Sequence, residues 1–501
     1  MTDEMGRKHR LIIASNRLPI VLKKDKNGDI FVTSGSGGLV TALAPVLKDR
    51  GGLWIGWTGI PQEDITRPLE PCLKDASRKW GYKLLPVNLT KQEIDNYYYG
   101  FANEVLWPLF HDLPSHCNFN PEYWNYYKNV NEKFAKTIAE NCRYNDFVWI
   151  HDYHLVNVAK KLREMNVNIN TAYFLHIPFP PLDVFLNLPW RFEILNSLLQ
   201  YDLIGFQTIR DRRNFVHCVR KLLRGIRIYG KGQVIMGKIK NDNRQIRIGA
   251  FPISIDFYEF ENMARSQEVS DRAWYIHEDL PNQHIILGVD RLDYTKGIIN
   301  RLRAFQNAMR RYPELIKKLT FIQVVVPSRQ NVPEYQNLRR EIEQTVGEIN
   351  GEFTRSGWVP IHYIYRSLVR EELLAYYRTA EIALVTPLKD GMNLVAKEYC
   401  ASNLEETGVL ILSEFAGSAA QLKNYARMVN PNDIEQMADA IYRAYTMDIE
   451  ERKFRMQRLR AKVKRQDIFW WVDSFLMAAF AKDLRSFPII EDYIPEDREK
   501  Q

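Results

Sequence analysis

Residues 387–400, P-L-K-D-G-M-N-L-V-A-K-E-Y-C, place two acids, a glycine and an asparagine where one kind of element gives way to another. The preceding apolar run, 381–386, predicts a buried parallel strand, and 393–402 has helical spacing. The turn between them sets Asp390 beside Gly391, where the missing Cβ lets backbone N–H groups approach a ligand. Asn393 is predicted to cap the helix, whose positive end would face that ligand. Asp390 and Glu398 are acceptors suited to sugar or ribose hydroxyls, and amides at a helix start are donors suited to phosphate. Together they suit a nucleotide sugar. The alternative for this segment alone is an ordinary strand-to-helix turn with a solvated Asp and Glu.

In open α/β sheets ligands sit outside the carboxyl ends of the strands, so the residues that close each apolar run matter most. Arg17 follows the first run, His151-Asp152-Tyr153-His154 follows 147–150, and His176 closes 171–177. Arg291, Asp293 and Lys296 follow 284–289, and Arg329 follows 319–326. Arg291 and Lys296 beside a diphosphate would stabilise charge on a departing nucleotide. Any one of these cations taken alone is as well explained by a surface ion pair; their shared address argues otherwise. His151, His154 and His176 with Asp152 would alternatively form a metal cluster, but no H-E-x-x-H or comparable spacing accompanies them. The glycine-rich stretch 34–38, S-G-S-G-G, leads into an amphipathic helix at 39–48, yet lacks both the G-x-G-x-x-G spacing and the Lys-Ser/Thr of a P-loop. Tyr97, Tyr98, Tyr99, Phe101 and Trp107 read mostly as core, with one or two able to stack on a sugar face.

The elements that must position these groups read as two successive α/β sheets. Strands are predicted at 10–15, 53–57, 147–150, 171–177 and 202–207, with helices at 155–165, 182–186 and 211–223, which is a doubly wound parallel sheet. Asn27-Gly28 between 20–22 and 30–32 signals a hairpin. Short alternating segments occupy 233–253, after which strands restart at 284–289, 319–326, 362–365, 381–386, 408–413 and 427–429. A last helix at 467–484 carries Trp470, Trp471, Phe475 and Phe480, more aromatic surface than one exposed face should hold.

With 501 residues, 46% hydrophobic and 26% charged, the chain is globular and long enough for two cores. Its net charge of +8 suits small anionic substrates, and the densest basic run, 452–465, has Met456, Leu459 and Val463 at helical spacing and so reads as a solvated helix face. Five scattered cysteines without a C-x-x-C pair argue against a disulfide framework or a zinc site. No stretch reaches the roughly 20 apolar residues of a membrane span, and the N-terminus lacks an apolar signal region, so a cytoplasmic protein is expected.

Eight segments carry a family resemblance: S-N-R-L-P at Ser15, S-G-G-L-like Ser36 to Leu39, G-G-L-W-I-G-W at Gly51, L-W-P at Leu106, W-I-H-D-Y-H-L at Trp149, L-H-I-P-F-P at Leu175, R-L-D-Y-T-K-G at Arg291 and D-G-M-N-L-V-A-K-E at Asp390. In this order they closely resemble trehalose-6-phosphate synthases. These are retaining glucosyltransferases of the GT-B fold, with two Rossmann-like doubly wound domains facing across a cleft and a C-terminal helix crossing back. The resemblance implies an acceptor domain at 1–250, a nucleotide-sugar domain at 251–466 and a helix at 467–501 packing on the first domain. It implies glucose transfer from UDP-glucose to glucose 6-phosphate. Arg17, Tyr98, Trp107 and Arg329 would surround the acceptor and its phosphate, with Trp54 and Asp152 on the same side. Gly38, Arg291 and Lys296 would meet the diphosphate, with amides from Leu394 and Val395. Asp390, Gly391, Met392, Asn393 and His176 would hold the donor glucose, Glu398 the ribose, and Leu368 and Leu373 would border the uracil. Catalysis would rest on Arg291, Lys296, Asp390, His176 and Asp152. No cofactor or metal is implied, and neither nucleic acid nor membrane is a partner; a homo-oligomer is left open. The lack of a D-x-D-x-T/V phosphatase motif suggests a synthase alone. The rival readings are a relative with another acceptor, such as a glucosylglycerol-phosphate synthase, a non-catalytic regulatory subunit, and a two-domain dehydrogenase, against which the missing G-x-G-x-x-G counts.

Overall fold

The computed structural model describes residues 10–24, 30–35, 38–65, 67–240, 244–329, 332–481, 487 and 491–495. Its contacts divide the chain into one unit of Met1–Pro252 with Trp471–Ile490 and another of Ile253–Trp470 with Glu491–Gln501. The unit boundaries after Pro252 and Trp470 differ by two and four residues from the expected ones.

The first unit is built on a nine-stranded sheet in the spatial order Lys83–Pro86, Leu53–Trp57, Leu11–Arg17, Phe147–His151, Asn170–Phe174, Leu203–Phe206, Gln245–Ala250, Val234–Ile239, Ile226–Tyr229. The first seven run parallel, and the last two are joined by antiparallel pairing, Val234–Ile239 alone running against the rest. Both faces of the central strands are buried, which is why they read as continuous apolar runs. The hairpin Ile20–Lys24 with Ile30–Ser34 forms as expected, though its Asn27-Gly28 turn lies outside the described residues, as do Ser36 and Gly37. The last helix is Ile468–Phe480, shorter than expected. Within this unit Phe475 stacks on Trp149 at 4.1 Å and meets Phe174 and Phe251 edge-on, and the Trp471 indole donates to the Phe251 carbonyl at 3.1 Å. Gly205 makes room for this helix, since a Cβ there would lie 2.6 Å from the Phe475 ring.

The second unit is a six-stranded, wholly parallel sheet in the order Ile361–Tyr365, Leu319–Val326, His284–Arg291, Ile382–Val385, Val409–Ser413, Arg427–Val429. In chain order this is 3-2-1-4-5-6, the doubly wound dinucleotide-fold arrangement. Helix Ile449–Arg465 buries Met456, Leu459 and Val463 as its spacing predicts, but Arg452 and Arg460 are buried too. Arg460 donates to the carbonyls of Cys400, Ala401 and Asn403, satisfying the end of helix Leu394–Ser402, and pairs with Glu261 at 2.6 Å. The basic run is therefore only in part a solvated face.

Candidate active site

In the second unit the strand order reverses between His284–Arg291 and Ile382–Val385, so a crevice opens at their carboxyl ends. The loops that leave these two strands are latched to each other: Leu388 N–H donates to the Thr295 carbonyl at 2.8 Å. Gly297 closes the approach with φ of 63°, and a Cβ there would sit 2.5 Å from the Thr386 carbonyl oxygen. Across this latch Lys296 Nζ pairs with Asp390 Oδ2, the two side chains being only 10% and 14% exposed. Asp390 also accepts from the Gly391 N–H at 2.8 Å and from Asn393 Nδ2 at 2.7 Å. Asn393 thus departs from the capping role expected of it. It stands at the helix start with φ of 67° and ψ of 76° and makes no side-chain cap, because a capping residue needs extended backbone and this one spends its amide on Asp390.

A wall the sequence did not suggest supports this turn from behind. Gly417 N–H donates to the Asp390 carbonyl at 3.1 Å and Ser418 N–H to the Met392 carbonyl at 2.9 Å. A Cβ on Gly417 would fall 1.7 Å from the Gly391 carbonyl oxygen, so glycine is the one residue that lets these segments touch.

Arg291, Lys296 and Arg329 converge on Asp293, which is 1% exposed. Burial opposes its charge, but Arg329, Lys296 and Arg291 outweigh burial and hold its pKa below the usual carboxylate value. Asp293 Oδ1 accepts from the Thr295 N–H and hydroxyl at 3.0 and 2.9 Å, while Arg329 lies 3.5 Å from Oδ2 and donates to the Tyr335 hydroxyl. Beneath them Arg301, 1% exposed, pairs with Asp290 at 2.7 Å and donates to the carbonyls of Lys296 and Leu384 at 2.8 and 3.0 Å, tying the two strand ends together.

Helix Leu394–Ser402 starts at this crevice, and the first-turn amides of Leu394 and Val395 have no carbonyl within the helix to meet. Glu398, about one turn along, accepts from the Tyr377 hydroxyl at 2.9 Å; burial raises its pKa and that hydrogen bond opposes the rise. Lys397 beside it is buried and donates to the Ile253 carbonyl at 2.6 Å; burial pushes its pKa down to about 7. Leu368 and Leu373 are half-buried apolar side chains against the same core.

The first unit repeats the plan. Its strand order reverses between Leu11–Arg17 and Phe147–His151, and the groups at those carboxyl ends are Arg17 and Asp152. The Arg17 guanidinium lies over the Trp57 ring at 4.5 Å and over Tyr98 at 5.9 Å. Tyr98 in turn stacks on His154 at 5.9 Å. Trp57, opposite Arg17 in the sheet register, is the aromatic partner that the sequence reading missed. Trp54, expected on the acceptor side, is 1% exposed and donates its indole N–H to Ser15 Oγ at 2.8 Å, and Ser15 in turn donates to the Arg17 carbonyl. Gly59, φ 92°, clears space for Arg17.

Tyr98 belongs to a π-helix, Ile94–Leu106, a rare form that clusters at functional sites. It is pinned by Asn103, which donates to the Tyr98 carbonyl at 2.7 Å and accepts from the Tyr153 hydroxyl at 3.1 Å, and by Tyr97, whose hydroxyl donates to Asn16 at 2.9 Å. Trp107 follows directly, 4% exposed, packed on His111 and Tyr153. Asp152 holds φ 76° and ψ 166°, a region in which glycine is the usual residue, and its Oδ1 accepts from the His176 N–H at 3.2 Å. His151 Nδ1 and His176 Nε2 are 3.1 Å apart. Among the described residues no group of three or more His, Cys, Asp or Glu is placed to hold a metal ion, and His154 stacks on Tyr98 rather than joining the other two histidines. Gly38 begins helix Gly38–Arg50.

Two doubly wound sheets, one bearing a cation cluster, a helix start, Asp390 and Glu398 at its switch point, are the parts of a glycosyltransferase of the GT-B fold. The chain belongs to glycosyltransferase family 20, whose family profile matches residues 9–480. It is 41% identical over 477 residues to the trehalose-6-phosphate synthase of Mycolicibacterium vanbaalenii, covering 94% of this chain and 96% of that one. A solved α,α-trehalose-phosphate synthase (UDP-forming) from Burkholderia xenovorans, in complex with glucose-6-phosphate, matches with a TM-score of 0.83 at 33% identity, covering 94% and 99%. An E. coli trehalose-6-phosphate structure bound with UDP-2-fluoro glucose matches with a TM-score of 0.83 at 34% identity, covering 94% and 98%.

Proposed function

We propose that this enzyme moves glucose from UDP-glucose to the anomeric hydroxyl of glucose 6-phosphate with retention, giving α,α-trehalose 6-phosphate and UDP. The observation that carries the donor half is the Lys296 and Asp390 pair latched across the second unit's switch point, with Arg291 and Arg329 gathered on the same buried Asp293. Cations already fixed in place need no reorganisation when charge moves onto the leaving diphosphate, so they stabilise the transition state more than the ground state. Asp390 and the backbone of Gly391 and Met392 receive the glucose hydroxyls, the Leu394 and Val395 amides a phosphate, and Glu398 the ribose. Arg291 and Lys296 supply the neutralisation, and the reading assigns no role to a metal.

The family resemblance assigns Arg17, Tyr98 and Trp107 of the first unit, and Arg329 of the second, to the acceptor. Each carboxylate in these assignments is already engaged: Asp390 by Lys296, Gly391 and Asn393, Asp152 by the His176 backbone, and Glu398 by the Tyr377 hydroxyl. Retention then follows from same-face attack through an oxocarbenium-like ion pair, in which the leaving phosphate takes the acceptor proton, rather than from the double displacement of retaining glycosidases. Arg329→Ala and Tyr98→Phe test the acceptor half. Each should raise KM for glucose 6-phosphate more than KM for UDP-glucose, since a phosphate clamp acts in ground and transition states alike. Equal losses toward both substrates would reject the assignment.

A further inference from the structure

His176 is held from two sides, by Asp152 at its backbone N–H and by His151 at its ring. His151 is fully buried at the end of its strand, with the Trp149 ring 4.8 Å away, whereas His176 is partly exposed. Burial drives the pKa of both imidazoles down, that of His176 to about 3 and that of His151 well below its ordinary value with a further push from His176. Both rings are therefore neutral near pH 7. A contact between two neutral imidazoles contains one proton, and whichever ring owns it fixes the tautomer of both. The deciding atom is His151 Nε2, which is buried and has no hydrogen-bond partner. A proton there would be a buried donor with nothing to meet; a bare lone pair is the less costly vacancy.

We propose that His151 sets the tautomer of His176, donating from its own Nδ1 to His176 Nε2, so that His176 carries its proton on Nδ1 and offers the site an N–H donor. A donor at this position selects a sugar oxygen that must accept. It also removes the ring from service as a general base, because its one lone pair is already taken by His151. His151 is thus a positioning residue that acts through His176, and the catalytic consequence rests on the reading that His176 meets the donor glucose.

Two-bond hydrogen–nitrogen correlation spectra of the ligand-free enzyme labelled with 15N-histidine read the tautomers directly. Both rings should show the proton on Nδ1. A proton on His176 Nε2 in the wild type overturns the proposal, whatever the variants do. His151→Leu should lose the His176 signature and lower kcat about 10- to 100-fold, by analogy with removing a group that orients a metal-bound histidine. Its Kd for UDP, which has no glucose, should be unchanged. His151→Asn keeps an N–H donor at the Nδ1 position and should recover most of the activity. A fall in UDP affinity matching the fall in kcat, with no recovery in His151→Asn, would show a structural role and overturn the proposal. If the tautomer depends on His151 as stated yet kcat does not respond, the placement of His176 at the glucose is what fails.

Discussion

A lysine that already has a carboxylate partner in a nearly closed crevice is a charge held in a fixed place, and Lys296 with Asp390 is that case. Arg291→Ala and Lys296→Ala should each lower kcat on the order of 100-fold or more, as removal of one preorganised donor does elsewhere. Kd for UDP should change much less, because charge grows on the diphosphate only as the glycosidic bond breaks. Near-normal kcat in either variant would remove that residue from the leaving-group site. At this scale the residues that end apolar runs were legible, since Arg17, Asp152, Arg291 and Asp390 all sit where a strand stops and the fold puts ligands there. Trp54 and Trp57 were not distinguishable, because Leu53–Trp57 is buried on both faces and leaves no alternation to show which side chain reaches Arg17. That choice is made by register, which sets Trp57 opposite Arg17. Asn393 misled for a related reason: its side chain suits a cap, but its left-handed backbone does not.

Elements fail or succeed here through close approaches between loops. Gly417→Ala forces a Cβ against the Gly391 carbonyl, so the Asp390 turn must shift while the strands on either side keep their pairing. The variant should fold with an unchanged far-ultraviolet spectrum and lose most of its affinity for UDP-glucose; retained affinity would show that the turn tolerates displacement. Helix Leu394–Ser402 carries its own titration signature in Lys397. Burial lowers its folded pKa to about 7, whereas the unfolded chain keeps the ordinary lysine value. Between those values the unfolded chain binds more protons, so stability should climb as pH rises above about 7. Melting temperatures of Lys397→Met across that window should show a flatter rise than the wild type, and identical slopes would contradict the burial of this charge. The parallel strands were legible from their apolar runs. The edge strand Lys83–Pro86 and the π-helix Ile94–Leu106 were not, the first being short and ended by a proline, the second having a period that no simple pattern anticipates.

Across the whole molecule both sheets contain the 3-2-1-4-5-6 strand order, and the proposed site residues divide between them: Arg17, Tyr98, Trp107 and Asp152 stand on the first unit, and Arg291, Lys296, Arg329, Asp390 and Glu398 on the second. A basic chain with a net charge of +8 suits two anionic substrates, and among the described residues no helix is long and apolar enough to cross a membrane. With Arg291 and Lys296 supplying the positive charge, activity should survive dialysis against a chelator, and its loss with recovery on adding back a divalent ion would overturn that assignment. The central claim is met most directly by the product. The enzyme is incubated with UDP-, ADP- or GDP-glucose and with glucose 6-phosphate or glycerol 3-phosphate, and the products are identified by mass and by their anomeric proton couplings. The account predicts α,α-trehalose 6-phosphate and UDP from UDP-glucose and glucose 6-phosphate. A β-linked product, a product made only with glycerol 3-phosphate, or no transfer from any donor would contradict it.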